Sequence, residues 1–118
     1  MDDFGGYMRK KCMQFAVDIV QLYKHLCENK KEYTISKQLL RSGTSIGANL
    51  VEAQNGISKK DFLAKIYISQ KETAETEYWI ELLLETNYID KEEYNKINTK
   101  CIELNRLFNS ITKTIQKG

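Results

Sequence analysis

Residues 94–115 read YNKINTKCIELNRLFNSITKTI, and within them Tyr94, Ile97, Cys101, Leu104, Phe108, Ile111 and Ile115 recur at alternating steps of three and four. An α-helix puts residues three and four apart on one face, so this run predicts an amphipathic helix with a coiled-coil-like seam. Asp90, followed by Glu93 three residues on, supplies its start signal. Reading backward, Ser58 with Asp61 at the third helical position predicts another start. The helix it opens runs to about Thr86, ends at Asn87, and turns Phe62, Ile66, Ser69, Thr73, Ile80 and Leu84 inward. Before it, Ile35, Leu39, Gly43, Ile46, Leu50 and Ala53 keep the same spacing until Asn55-Gly56 stops them. The first such segment spans about Tyr7 to Glu28 with Cys12, Phe15, Ile19, Leu22 and Leu26 on one face, and Arg9, Asp18 and Lys24 elsewhere. Four amphipathic helices joined by short connections predict an all-α, up-and-down antiparallel four-helix bundle.

Composition agrees. The 118 residues match one domain, 1–118, and 42% hydrophobic with 29% charged residues is ordinary globular chemistry. No proline and only six glycines leave long helices uninterrupted. Gly43 and Gly47 nevertheless fall inside the second helix, where each glycine costs ~1 kcal/mol against alanine, so they are expected to admit a neighbouring backbone closely. The N-terminal MDDFGGYMRKK lacks a long apolar run, and no segment approaches the ~18 apolar residues of a membrane span. Cys12, Cys27 and Cys101 are widely spaced and odd in number, which suits neither a disulfide framework nor a zinc site. The expectation is a soluble, cytoplasmic protein.

The stretch Tyr78-Trp79-Ile80-Glu81-Leu82-Leu83-Leu84 is apolar around most of a helix. Tyr78, Trp79 and Leu82 are therefore candidates for a self-association surface; the alternative is that Trp79 lies across a neighbouring helix of its own chain.

The search for chemistry returns little. His25 is the only histidine, and Leu22 stands three residues before it, so the Glu-x-x-His pattern of di-iron bundles is absent. Cys27 and Glu28 diverge from His25 around the helix. Glu72, Glu75, Glu77 and Glu81 have no histidine or glycine loop beside them and read as a solvated face. Gly43 and Gly47 sit in a helix without the strand that phosphate-binding loops require. No catalytic residue, metal, cofactor or small-molecule substrate is expected.

The net charge of +2 does not mark a nucleic-acid binder, but its distribution is uneven. An antiparallel bundle gathers Arg9, Lys10, Lys11, Lys59, Lys60, Lys65, Lys113 and Lys117 at one end against Asp2, Asp3, Glu52 and Asp61. Arg9, Lys10, Lys11, Lys59 and Lys60 are the candidate nucleic-acid contacts; the competing reading is a solvated lysine surface.

The run Gln38-Leu39-Leu40-Arg41-Ser42-Gly43-Thr44-Ser45-Ile46-Gly47-Ala48-Asn49-Leu50-Val51-Glu52-Ala53 resembles the four-helix-bundle family encoded by intervening sequences within bacterial 23S ribosomal RNA genes. The resemblance continues through Ser58-Lys59-Lys60-Asp61-Phe62, Ala74-Glu75 and Glu77 to Tyr88-Ile89. It implies a homopentameric ring without established enzyme activity. The family also resembles the accessory variability protein of diversity-generating retroelements, which implies nucleic acid and a reverse transcriptase as partners. Where the family often has Glu-Gly, this chain has Glu52-Ala53. Arg41, Ser45, Asn49 and Glu52 match the family's polar positions and form a stripe on the second helix, suited to a subunit contact or an RNA contact. The leading expectation is a non-enzymatic ring protein that binds structured RNA or a nucleoprotein; the rival is a structural or protein-interaction module.

Overall fold

The helix boundaries follow from local chemistry. In the computed structural model, which describes residues 3–117, α1 spans Asp3–Lys30, α2 Ile35–Gln54, α3 Lys59–Glu85 and α4 Lys91–Lys117. No strand occurs among the described residues. Asp2 and the side chain of Lys117, both part of the charge pattern above, lie outside them. Ser58 Oγ accepts from Asp61 N at 3.0 Å, capping α3 as its sequence predicts. At α4 the capping is reciprocal: Glu93 N donates to Asp90 Oδ1 at 2.8 Å, and Asp90 N to Glu93 Oε1 at 3.3 Å. Asn87 takes up a left-handed conformation (φ 67°) after α3, a role its short amide side chain tolerates.

Two boundaries differ from the sequence expectation. α1 starts at Asp3 instead of Tyr7, carrying Gly5 and Gly6 inside a helix they disfavour. A tertiary tie offsets that cost, because Gln54 Nε2 of α2 donates to Gly5 O at 2.8 Å. α1 also runs on to Lys30, where Lys31 turns left-handed (φ 55°) and Glu32 N bonds back to Leu26 O at 3.0 Å.

The start of α2 is capped from an unexpected place. Thr34, at the N-cap position, makes no side-chain cap. The Glu32 carboxylate, only 8% exposed, accepts from Thr34 N, Ile35 N and Ser36 N at 3.1, 2.9 and 2.7 Å. Burial alone would push this carboxyl's pKa up, but the backbone donors outweigh it and hold the pKa below its ordinary value. A depressed folded pKa means the stabilisation is complete above the ordinary value and is lost as pH falls through the depressed one. Glu32→Gln is thus expected to cost about 1 kcal/mol at neutral pH. That gap should narrow in acid below the ordinary value of 4.5, as urea midpoints measured across pH would show.

The order of the helices is up-down-up-down. Across each neighbouring pair, partners descend along one helix as they ascend along the other: Cys12 faces Gly47 and Ile19 faces Gly43; Lys11 meets Glu103 and Asp18 meets Lys100; Glu52 meets Lys65 and Arg41 meets Glu75; Tyr67 meets Gln116 and Gln70 meets Asn109. The core contains Phe15, Ile19, Leu26, Leu39, Ile46, Ile66, Ile80, Leu83, Leu104 and Phe108, nearly all on the predicted faces.

α2 and α3 pack most extensively, because their contact is built from small hydroxyl residues. Ser42, Ser69, Thr73 and Thr76 are fully buried. Ser69 Oγ donates to Ile46 O at 2.9 Å, and Thr76 Oγ1 lies 2.9 Å from Ser42 Oγ and 2.7 Å from Glu72 O. Buried hydroxyls satisfied in this way cost little and let the axes approach. The inner face of α3 is consequently wider than predicted, with Glu72, Thr76 and Leu83 added to it. On the other side of α2, Gly43 and Gly47 face α1: a Cβ on Gly43 would stand 2.9 Å from both γ-carbons of Ile19, and one on Gly47 3.1 Å from Cys12 Cβ. Of the neighbouring pairs, α1 and α4 contact each other least.

Candidate functional site

The end of the bundle formed by the start of α1, the end of α2, the start of α3 and the end of α4 carries the predicted basic residues. Their ion pairs divide them. Lys65 is bound to Glu52 at 2.8 Å and Lys11 to Glu103 at 3.3 Å. The hydrogen bond and charge of Glu103 push the Lys11 pKa up. Lys11 also lies over the Tyr7 ring, 5.6 Å from its centre. Arg9, Lys10, Lys59, Lys60 and Lys113 are exposed and have no ion-pair partner among the described residues. Asp3 and Asp61 are the acids close in sequence to them, and Asp61 stands in the first turn of α3, where its charge offsets the helix dipole. Four of the five candidate contacts thus present uncommitted charge, and the fifth, Lys11, is engaged with α4.

Lys113, in the last turns of α4, is a free cation that belongs with this group by position. The antiparallel order had already gathered it at this end, but it was not among the candidate contacts.

The same end is not closed. A cleft of about 730 Å³ opens among Phe4, Met8 and Arg9 of α1, Leu50 and Ala53 of α2, Phe62 of α3, and Ile111 and Ile115 of α4. Its lining mixes apolar residues with the polar Arg9, Gln54, Asn55, Ser110 and Thr114, and sequence periodicity gave no sign of it, since Leu50, Ala53, Phe62, Ile111 and Ile115 read as ordinary core. A second, much smaller recess of about 110 Å³ follows the α1–α4 seam at Gln14, Phe15 and Leu104, between the Lys11–Glu103 and Lys100–Asp18 ion pairs.

The polar stripe of α2 is bonded within the chain. Ser45 Oγ donates to Arg41 O and Asn49 Nδ2 to Ser45 O, while Glu52 takes Lys65. Arg41 reaches across to α3, where its guanidinium meets Glu72 Oε2 at 3.4 Å and also Glu75. The hydrogen bond from Trp79 Nε1, 3.1 Å from Glu75 Oε2, and the Arg41 charge together hold the Glu75 pKa down against the effect of burial. The stripe therefore cross-links α2 to α3, and half of the Arg41 side chain stays exposed at its edge.

At the far end of α3, Ile80 and Leu83 are fully buried, while Trp79, Leu84 and Tyr88 pack partly buried against the core. The all-round apolar character of that segment reflects the position of α3 between α2 and α4. Tyr78 is left 58% exposed with its ring edge-on to Trp79, and Leu82 is half-buried beside it.

Cys12 and Cys101 are buried, and desolvation pushes both thiols up to about 12, so neither offers a thiolate nucleophile near neutral pH. Among the described residues no group of three or more His, Cys, Asp and Glu side chains is placed to hold a metal ion. No described helix is long and apolar enough to cross a membrane.

Comparison with curated proteins gives no match. Among solved structures, a protein of unknown function from the S23 ribosomal protein family of Bacteroides thetaiotaomicron VPI-5482 superposes with a TM-score of 0.91. It is 50% identical in sequence, over 92% of this chain and 97% of that one. Residues 7–110, from the second turn of α1 into the last turns of α4, match the 23S rRNA-intervening sequence protein family. With that match, the four-helix architecture and a half-identical structural relative in agreement, the chain belongs to the 23S rRNA-intervening sequence protein family.

Proposed function

We propose that this chain is a non-enzymatic, cytoplasmic protein that assembles into a homopentameric ring and binds structured RNA, alone or within a nucleoprotein, through the basic end of its bundle. The observation that carries the reading is the set of uncommitted cations, Arg9, Lys10, Lys59, Lys60 and Lys113, at one end of a molecule whose net charge is only +2. Cations free of intramolecular carboxylates can neutralise RNA phosphates and release the counterions condensed on the RNA, and that release drives binding. A few such contacts per subunit bind weakly; several copies on one side of a ring raise the effective concentration of the rest. Exposed Tyr78 with half-buried Leu82 and Trp79 supports self-association, and three free thiols suit a reducing compartment.

Two measurements test this. Lys59→Glu with Lys60→Glu is expected to weaken RNA binding across sequences and flatten its salt dependence, leaving helicity and assembly unchanged; retention of wild-type affinity and salt slope would favour a purely structural module. Light scattering at micromolar concentration should report a mass several times 13.8 kDa, and a monomer would remove the ring.

A further inference from the structure

The cationic end has a feature that phosphate binding alone does not call for. The cleft of about 730 Å³ falls within the size range of small-molecule sites. Gly5, Gly6 and Gly56 line it, and of the neighbouring helix pairs α1 and α4 contact each other least. Apolar surface from the partly exposed Phe62, Ile111 and Ile115 faces the opening, with Met8 and Leu50 buried in its lining.

Its polar groups keep part of their hydrogen-bonding capacity free. Gln54 and Asn55 donate their amide nitrogens to Gly5 O and Val51 O at 2.8 Å each, which leaves their side-chain oxygens as acceptors. The Ser110 and Thr114 hydroxyls have no hydrogen-bond partner among the described residues. Arg9 stands at the cleft without an ion pair, and Lys59 and Lys60 lie in the stretch of chain between Gly56 and Phe62, both of which line it.

A flat apolar body with a polar edge, attached to an anion, matches this combination. We propose that the cleft receives an unpaired RNA base, with the adjoining phosphates on Arg9, Lys59 and Lys60. The proposal rests on the RNA reading above and specifies which part of a structured RNA is held. A duplex buries its base faces in the stack and offers mainly backbone and 2′-hydroxyls, whereas a loop or end presents bases that can be turned out onto apolar and aromatic side chains.

The test is fluorescence anisotropy at fixed salt with a labelled unstructured RNA of about ten nucleotides against a blunt duplex of the same length. The single strand should bind roughly tenfold more tightly, the scale of one stacked base. Thr114→Trp and Ser110→Trp, which fill the cleft from its rim, should abolish that preference while duplex affinity and salt slope stay as in wild type. Lys59→Glu with Lys60→Glu should weaken both RNAs. A 2-aminopurine in the single strand should change its emission on binding wild-type protein, a readout that needs no variant to fold. Equal affinity for the two RNAs, or a preference untouched by both tryptophans, overturns the base site and leaves the RNA reading standing. Absence of binding to either RNA overturns both. Dodecanoate that binds wild-type protein and is excluded by Thr114→Trp, with RNA binding unaffected, makes the cleft an acyl-chain site and overturns the proposal.

Discussion

Replacing Gly43 by leucine is expected to destabilise the fold by about 3 kcal/mol or more, at the upper end of what overpacking costs. The first added carbon already lies too close, since a Cβ there stands 2.9 Å from Ile19 Cγ1 and Cγ2 and 3.3 Å from its Cβ. Ile19 is fully buried and branched at Cβ, so it cannot swing aside as the tip of a flexible chain would. The strain must push α1 away from α2 and open the core around Leu22 and Leu39. Gly47 offers a graded comparison, because a Cβ added there would meet Cys12 Cβ at 3.1 Å and the Cys12 backbone only at 3.8 Å, so Gly47→Ala should cost less than Gly43→Ala. Ile19→Ala combined with Gly43→Ala should be less destabilising than the two single effects added, because the second substitution fills space the first vacates. Urea midpoints read all of these. A Gly43→Leu protein that unfolds with the wild type would mean that α1 does not press on α2 at this level.

Phe108→Ala is expected to cost about 3–5 kcal/mol, the range for truncating a buried aromatic side chain. Phe108 is fully buried, one turn from Leu104, which borders the small recess on the α1–α4 seam, and from Ile111, which lines the open cleft. α4 is held chiefly by α3 and has little contact with α1 to compensate for a lost side chain. The void left by alanine therefore has no second layer to collapse upon. Phe108→Leu keeps most of the volume and should cost less. The decisive comparison is guanidinium unfolding of the two variants; equal midpoints would show that the site relaxes to fill the space, and that α4 is anchored elsewhere.

Periodicity in the sequence was sufficient to fix the four helices, because a buried face repeats at the pitch of the helix that carries it. Cys12, Phe15, Ile19, Leu22 and Leu26 on α1, and Ile97, Cys101, Leu104 and Phe108 on α4, are buried where their spacing puts them. Ser58 and Asp90 act as caps because capping needs only a side-chain acceptor within reach of a donor three residues on. The glycines of α2 were legible as close contacts for a similar reason: a residue that weakens its helix needs an offsetting neighbour. The basic end was legible once antiparallel order was assumed.

Tertiary structure decided what depends on pairing between segments distant in sequence. Glu32 is a partial exception: its bonds to Thr34 N, Ile35 N and Ser36 N are local, but that it and not Thr34 caps α2 is set by the turn after α1. Thr76 and Ser42 count as polar by composition and become core only because each finds the other across the α2–α3 contact. Lys11 and Lys59 look alike in sequence, but the first is engaged by Glu103 from 92 residues away and the second is free. The cleft at the same end is a property of four helix termini together: Phe62 and Ile111 carry the signature of core residues, and only the assembly of the four ends leaves them partly exposed at an opening. Sequence by itself thus determined which faces are buried, because that information is periodic and local, while the three-dimensional fold decided which charges remain free and where the core stays open, because both depend on partners that only the folded chain brings together.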